Sequence, residues 1–143
     1  MTRLERARAP LRMALAAGMV GIGVLHFVLP EPFMRIVPPS FGDARLLVLV
    51  SGAFEVLGGV GLLLPQTRRA AAWGLILLYV AVFPANIYMA LEGIQIFPEH
   101  PAPEWAAWLR LPFQAVFIAW AYLFTQPEPA AVQAGSGAPP ESA

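Results

Sequence analysis

The stretch SGAFEVLGG, residues 51–59, places a single carboxylate, Glu55, among small and apolar residues. The runs on either side, ARLLVLV before it and VGLLL after it, contain no further acid. Together they reach the ~20 mostly apolar residues that a helix needs to cross the hydrocarbon core of a bilayer. The sequence therefore predicts a membrane-spanning helix, in which a lone acid faces the protein interior and needs a partner.

The composition extends this interpretation to the whole chain. Of the 143 residues, 58% are hydrophobic and 13% are charged, and the mean hydropathy is +0.64. So short a chain cannot bury this much apolar surface in one aqueous core. All nine cations are Arg and the net charge is zero, which argues against a nucleic-acid partner. The absence of Cys excludes disulfides, thiolate nucleophiles and thiolate metal ligands.

Four apolar runs occur along the chain, so the sequence predicts an all-α integral membrane four-helix bundle. The predicted transmembrane helices cover residues 11–30, 44–64, 70–91 and 105–125. They form a single transmembrane domain, residues 11–126, which follows a basic N-terminus, residues 1–10. The tail, residues 127–143, is polar and rich in Pro and Gly, and is expected to be disordered.

Arginines near the span ends predict the orientation, because cytoplasmic loops carry an excess of positive charge. Four Arg lie at or before the start of the first span and two follow the second, whereas Arg35 and Arg45 lie on the opposite side. Both termini are therefore expected in the cytoplasm (N-in/C-in), with the chain crossing the cytoplasmic (inner) membrane several times. Tryptophans are expected at both interfaces: Trp105 and Trp108 at the outer one, Trp73 and Trp120 at the inner one.

One face of the second span gathers the acid and the small residues. At about 100° per residue, a single stripe contains Ser51, Gly52, Glu55, Gly58, Gly59 and Leu62. The opposite face carries larger apolar side chains, such as Leu46 and Leu57, that suit lipid. Because small residues let membrane helices approach closely, we expect the stripe, and with it Glu55, to face the other helices.

The remaining polar side chains inside the spans lie at comparable depths. Counted at ~1.5 Å per residue from the outer span ends, they lie between ~6 and ~16 Å deep, with Glu55 the deepest. Pro84 and Pro112 belong to the same half of the bundle, and each frees a backbone carbonyl that must find a partner in lipid. The pattern predicts a polar pocket that opens outward and is closed at its base. Its candidate residues are Glu55, Arg110, Gln114, Asn86, His26 and Ser51.

Arg110 is expected to be the partner of Glu55. It is the one cation well inside a predicted span, and Gln114, four residues on, shares its helix face. Structural alternatives stay open for each residue. Asn86 and Gln114 are alternatively residues that form hydrogen bonds between helices, and His26 one that forms a local hydrogen bond. The Glu55–Arg110 ion pair alternatively only fixes how the helices pack. No metal site is expected, and no catalytic residue is assigned.

Four further motifs support a family resemblance over residues 20–122: HFVLPEPFMRIVPP (26–39), SGAFEVLGGVGLLLPQTRR (51–69), VFPANIYMA (82–90) and RLPFQ (110–114). In this order and spacing they resemble the DoxX-like family of small four-helix bacterial membrane proteins. The resemblance implies a four-helix membrane fold. It also implies a link to redox chemistry, since some relatives are membrane subunits of quinone-linked oxidoreductases acting on sulfur compounds or belong to redox-protective assemblies. It carries over no catalytic residue.

The leading hypothesis is an accessory or anchoring membrane subunit, in a redox-related complex, whose pocket binds a small amphipathic ligand such as a quinone or a lipid. A quinone is thus the one cofactor considered, and enzymatic activity of the chain alone is not expected. The alternatives are a purely structural membrane partner protein and an oligomeric small-molecule transporter. Expected partners are the lipid bilayer, a membrane or redox-complex protein, and a second copy of the chain.

Overall fold

The computed structural model describes residues 3–127, and within these the chain is helical, with no strand. The predicted all-α class is therefore confirmed. The elements are α1 (Arg3–Val28), α2 (Glu31–Met34), a 3-10 turn (Pro39–Phe41), α3 (Ala44–Leu63), α4 (Arg68–Glu92) and α5 (Glu104–Tyr122). The predicted disordered tail lies, from residue 128 onward, outside the described residues.

Three of these helices are long and apolar enough to cross a membrane: α1 over Arg6–Val28, and α3 and α4 over their full lengths. The sequence predicted four such spans. α5 has 19 residues, but Arg110, Pro112 and Gln114 interrupt its apolar sequence. Length and composition thus support three spans, and α5 has to be judged from what its faces contact.

α1 and α3 run antiparallel and touch backbone to backbone. A Cβ atom added to Gly52 would lie 2.6 Å from the Cβ of His26, and one added to Gly59 would lie 2.8 Å from the carbonyl oxygen of Ala16. Separations this short leave room only for glycine. The inward stripe predicted for the second span is confirmed, because its glycines and Leu62 are buried while Leu57 on the opposite face is 67% exposed.

Arginine side chains fasten the end of the bundle that holds the N-terminus, which we call the inner end. The Nε of Arg68 donates to the carbonyl oxygen of Leu62 at 3.0 Å, near the C-terminus of α3. The Nε of Arg69 donates to Thr125 O at 3.0 Å, and the Nη2 of Arg8 donates to Leu123 O at 2.8 Å, both just beyond α5. Carbonyls at helix C-termini lack intrahelical donors and carry partial negative charge, so cations stabilise them.

The helices form a ring with one weak join. α1 packs along α3, α3 along α4, and α4 along α5. In the described chain α1 and α5 are not packed along their lengths but are linked at the inner end, where the Nε1 of Trp120 donates to Leu11 O at 3.2 Å and Arg8 reaches Leu123. We call the α1–α5 boundary the seam. Trp120, which the sequence placed at the inner membrane interface, links the two sides of the seam at its inner end.

Candidate functional site

A cavity of about 630 Å³ lies inside the ring, and all four long helices line it. Most of its wall is apolar. The six residues singled out from the sequence all contribute to this wall: His26 on α1, Ser51 and Glu55 on α3, Asn86 on α4, and Arg110 and Gln114 on α5. The structure therefore brings every candidate to one cavity, although they do not all contact each other.

Glu55 lies against His26. Its Oε2 is 3.1 Å from the Nδ1 of His26, and the same nitrogen is 2.8 Å from the carbonyl oxygen of Ile22. A ring nitrogen carries at most one hydrogen, so Nδ1 cannot make two good bonds as a donor. In keeping with this, the buried Oε2 of Glu55 accepts no hydrogen bond from the described residues. Glu55 thus lines the cavity as a hydrogen-bond acceptor, although its Oε2 is itself buried against His26.

The predicted Glu55–Arg110 ion pair is absent: Arg110 lies in the same cavity but not within ion-pair distance of Glu55, whose close ionisable neighbour is His26. The ring order is one reason, because α4 separates α5 from α3 while α1 lies directly against α3. The direction of the side chains is the other. Side chains lean toward the N-terminus of their helix, so Arg110, on the outer turns of α5, leans outward and away from the deeper Glu55.

The same rule explains why His26 and Glu55 meet although their depths differ. Because Gly23 lies beside Gly52 and Ala16 beside Gly59, His26 lies ~9 Å farther out along the bundle than Glu55. His26 leans inward, toward the N-terminus of α1, and Glu55 leans outward, toward the N-terminus of α3. Their side chains close the gap from both sides. Depth counted from Cα positions alone misses this contact.

Gln114 joins α5 to α4. It accepts a hydrogen bond from the Nδ2 of Asn86 at 2.7 Å through its Oε1, and its Nε2 donates to the backbone carbonyl of Tyr79. The sequence predicted that Pro84 would free the carbonyl of Val80 on α4 and that a neighbouring side chain would be needed there. In the structure, Gln114 binds the carbonyl of Tyr79, the residue before Val80. Asn86 and Gln114 are therefore interhelical hydrogen-bond partners, the structural role considered for them.

Two cavity residues were missed by sequence reasoning. The hydroxyl of Tyr79 donates to the Sδ of Met19 at 3.1 Å, and its ring is 8% exposed. Its position seven residues before Asn86, on the same helix face, was the available signal. Phe33 of α2 stacks on the ring of His26, with centroids 3.9 Å apart and planes inclined by 21°. Nothing in the sequence indicated that this connection folds back over α1.

The sequence predicted a pocket that opens outward, and the segment that follows α1 contributes to the cavity at this outer end. Apolar side chains from α2 and the segment after it lie across this end and form part of the cavity wall: Phe33, Ile36, Val37, Pro38 and Phe41. At the inner end the wall runs into a buried apolar cluster that includes Leu15, Met19 and Leu75. Apolar groups therefore contribute to the wall at both ends of the cavity.

The described residues include no group of three or more His, Cys, Asp or Glu side chains placed to hold a metal ion. What the cavity offers is hydrogen bonding at one end and apolar surface elsewhere. Glu55 supplies an acceptor, and the guanidinium of Arg110, which is exposed, supplies several donors. This combination suits recognition of a compact polar group attached to an apolar body.

Comparison with protein families gives a match over most of the chain. The profile of a family described as "Domain of unknown function (DUF8561)" matches residues 15–125, a range that contains all six candidate residues. No curated protein and no solved structure matches the chain at a significant level.

Proposed function

The chain belongs to the DUF8561 family, a domain of unknown function, and we propose that it is a multi-pass membrane protein that binds a small amphipathic ligand in the cavity within its helix ring. The observation that carries the proposal is the cavity itself. Its volume of about 630 Å³ falls in the range of small-molecule sites, ~300–1,000 Å³, and its few polar groups converge on one part of an apolar wall. A bundle with a purely structural role would be expected to fill its interior, because protein cores pack densely.

The outward faces of the helices support the membrane part of the proposal. Each long helix exposes large apolar side chains, among them Met13 (58%), Leu57 (67%), Leu77 (68%) and Val116 (56%). Soluble proteins rarely expose continuous apolar surface on this scale. α5 follows the same pattern: Val116 faces outward, Gln114 is buried, and Arg110 borders the cavity. We therefore propose α5 as a fourth span, which gives the N-in/C-in topology in the cytoplasmic membrane.

Reporter fusions separate three spans from four. A cytoplasm-active reporter fused after residue 143 is expected to be active, because four crossings return the chain to the side of its N-terminus. As a matched control, the same reporter fused after Gly93, beyond α4 but before α5, is expected to be inactive, while a periplasm-active reporter there is expected to be active. Periplasmic activity of both fusions would show that α5 does not cross.

The ligand is proposed to be a quinone or a lipid-like molecule, whose head group would reach Glu55 or Arg110 while its apolar part contacts the wall. The resemblance to the DoxX-like family supports a further proposal: that the chain is an accessory or anchoring subunit in a redox-related complex, with the membrane partner supplying the reaction.

Mass spectrometry of the protein purified in mild detergent tests ligand binding. We expect a bound amphiphile in the wild type and at least about tenfold less in Ser51→Phe, because the new ring would occupy the cavity beside Glu55. Val50→Phe is the matched control, since Val50 is 43% exposed on the outward face of α3. Equal retention in Ser51→Phe and Val50→Phe, with both folded, would contradict binding in the cavity.

A further inference from the structure

We propose that the ligand has one long hydrocarbon chain and enters the cavity sideways from the lipid, through the seam between α1 and α5. This inference rests on the proposed function and adds to it the route of entry and the chemical class of the ligand.

The first argument is that the other walls are packed. Three boundaries of the ring, α1–α3, α3–α4 and α4–α5, are packed along the helices, and at Gly23, Gly52 and Gly59 two backbones are in direct contact. The outer end lies under α2 and the segment after it, with Phe33 stacked on His26. The inner end is held by the Arg and Trp120 hydrogen bonds. The seam, above its inner fastening, is the boundary that remains.

The second argument is that residues on both sides of the seam stay exposed instead of packing against each other. Ile22 on α1 is 41% exposed, and Phe113 and Phe117 on α5 are 49% and 37% exposed. All three also line the cavity, as does the exposed Gly18. A Cβ atom added to Gly18 would meet nothing within 4 Å. Other side chains therefore do not close over the two sides of the seam, and at Gly18 there is free space.

The third argument is the length and polarity of the cavity. On α1 its wall extends from Ala14 to His26, a rise of twelve residues, which is ~18 Å along a helix. That is close to half of the ~30 Å hydrocarbon core of a bilayer, the depth of one leaflet. The polar groups of His26, Asn86 and Arg110 lie toward the outer end, and apolar groups such as Phe117 lie toward the inner end. An amphiphile of the outer leaflet has this same order, head outside and chain inside.

The head group can be described by its chemistry. Glu55 lines the cavity with a carboxyl group, which accepts hydrogen bonds, and Arg110 lines it with a guanidinium, which donates them. A hydroxyl-bearing head satisfies both, because a hydroxyl donates one hydrogen bond and accepts others. A long-chain monoacylglycerol is a probe with these features.

The experiment uses a monoacylglycerol whose chain ends in a photoactivatable diazirine, added to the full-length protein in phosphatidylcholine vesicles. Illumination is expected to label the inner part of the cavity, at peptides containing Ala14 and Phe117. In Gly18→Phe, whose ring would fill the seam, this labelling is expected to fall at least about tenfold. Gly21→Phe is the matched control: Gly21 is also exposed on α1 with nothing within 4 Å of an added Cβ, but it does not line the cavity.

Three results would overturn the inference. Labelling confined to outward positions such as Leu57 would place the chain outside the cavity, and unchanged cavity labelling in a folded Gly18→Phe would exclude entry through the seam. Cross-linked pairs of protein chains joined at the seam would show that a second copy covers it instead. Gly18→Leu, with a smaller side chain at the same open position, gives a second block if Gly18→Phe does not fold. If Ser51→Phe loses its amphiphile while Gly18→Phe keeps it, cavity binding stands and side entry alone fails.

Discussion

Gln114→Leu is expected to lower the free energy of unfolding by about 1–3 kcal/mol, the cost of leaving buried polar groups without partners. Gln114 is 6% exposed and binds the Asn86 amide and the Tyr79 carbonyl. Interhelical hydrogen bonds in membranes contribute ~0.6 kcal/mol on average, because the unfolded chain also finds partners. A larger loss of unfolding free energy is expected here because the Gln114 side chain makes two hydrogen bonds. One of them goes to a backbone carbonyl in the part of α4 that contains Pro84. The measurement is unfolding in detergent micelles.

Ala115→Leu is the control for this change, since Ala115 is the neighbouring residue and is exposed. It is expected to leave the free energy of unfolding within ~0.5 kcal/mol of the wild type. The double variant Asn86→Leu/Gln114→Leu is expected to cost less than the sum of its single changes, because it removes both members of one hydrogen bond. A Gln114→Leu protein as stable as Ala115→Leu would show that the α4–α5 contact does not depend on this residue.

His26→Leu and Glu55→Gln are expected to show a coupling free energy of ~0.5–3 kcal/mol in a double-mutant cycle, because residues in contact do not act independently. The Nδ1 of His26 and the Oε2 of Glu55 are 3.1 Å apart, and both side chains are largely withdrawn from solvent. His26→Leu changes the surroundings of the Glu55 carboxyl group, and Glu55→Gln changes the surroundings of the His26 ring. The cycle is measured on the free energy of unfolding in the same micelles.

The second cycle, Glu55→Gln with Arg110→Met, serves as the control and should be additive to within ~0.3–0.5 kcal/mol, as for residues that share no contact. The sequence alone favoured the opposite assignment, with Arg110 as the partner. Strong coupling in the Arg110 cycle and none in the His26 cycle would restore that assignment and contradict the geometry described above.

The sequence was a good guide to periodic and local features. The face of α3 that carries Glu55 follows from helical spacing, and its glycines are where α1 and α3 touch. The six polar candidates meet at one cavity because each lies between the middle and the outer end of its helix, a property that counting along the chain can estimate. These features depend on single helices, so they could be predicted one helix at a time.

The features that depend on how helices are arranged could not be predicted in this way. Which acid meets which base depends on the order of helices around the ring and on the direction in which side chains lean. The sequence contains neither explicitly, so Arg110 was chosen in place of His26. The position of Phe33 over His26 depends on how a short connection folds back. For α5, the polar residues that bind other helices or border the cavity also lower its hydropathy, so composition alone does not identify it as a span.

The inner fastening of the seam has a consequence for how the protein is made. Its partners are far apart in the chain: 115 residues separate Arg8 from Leu123, and 109 separate Leu11 from Trp120. Because synthesis runs from the N-terminus, α1 is made well before α5, and the two can join only after α3 and α4, which lie between them in the chain, have been made. A boundary that forms last and is tied at one end is also the natural place for local opening in the finished protein. Closing of the α1–α5 seam would then complete assembly, and opening of the same seam would admit the ligand.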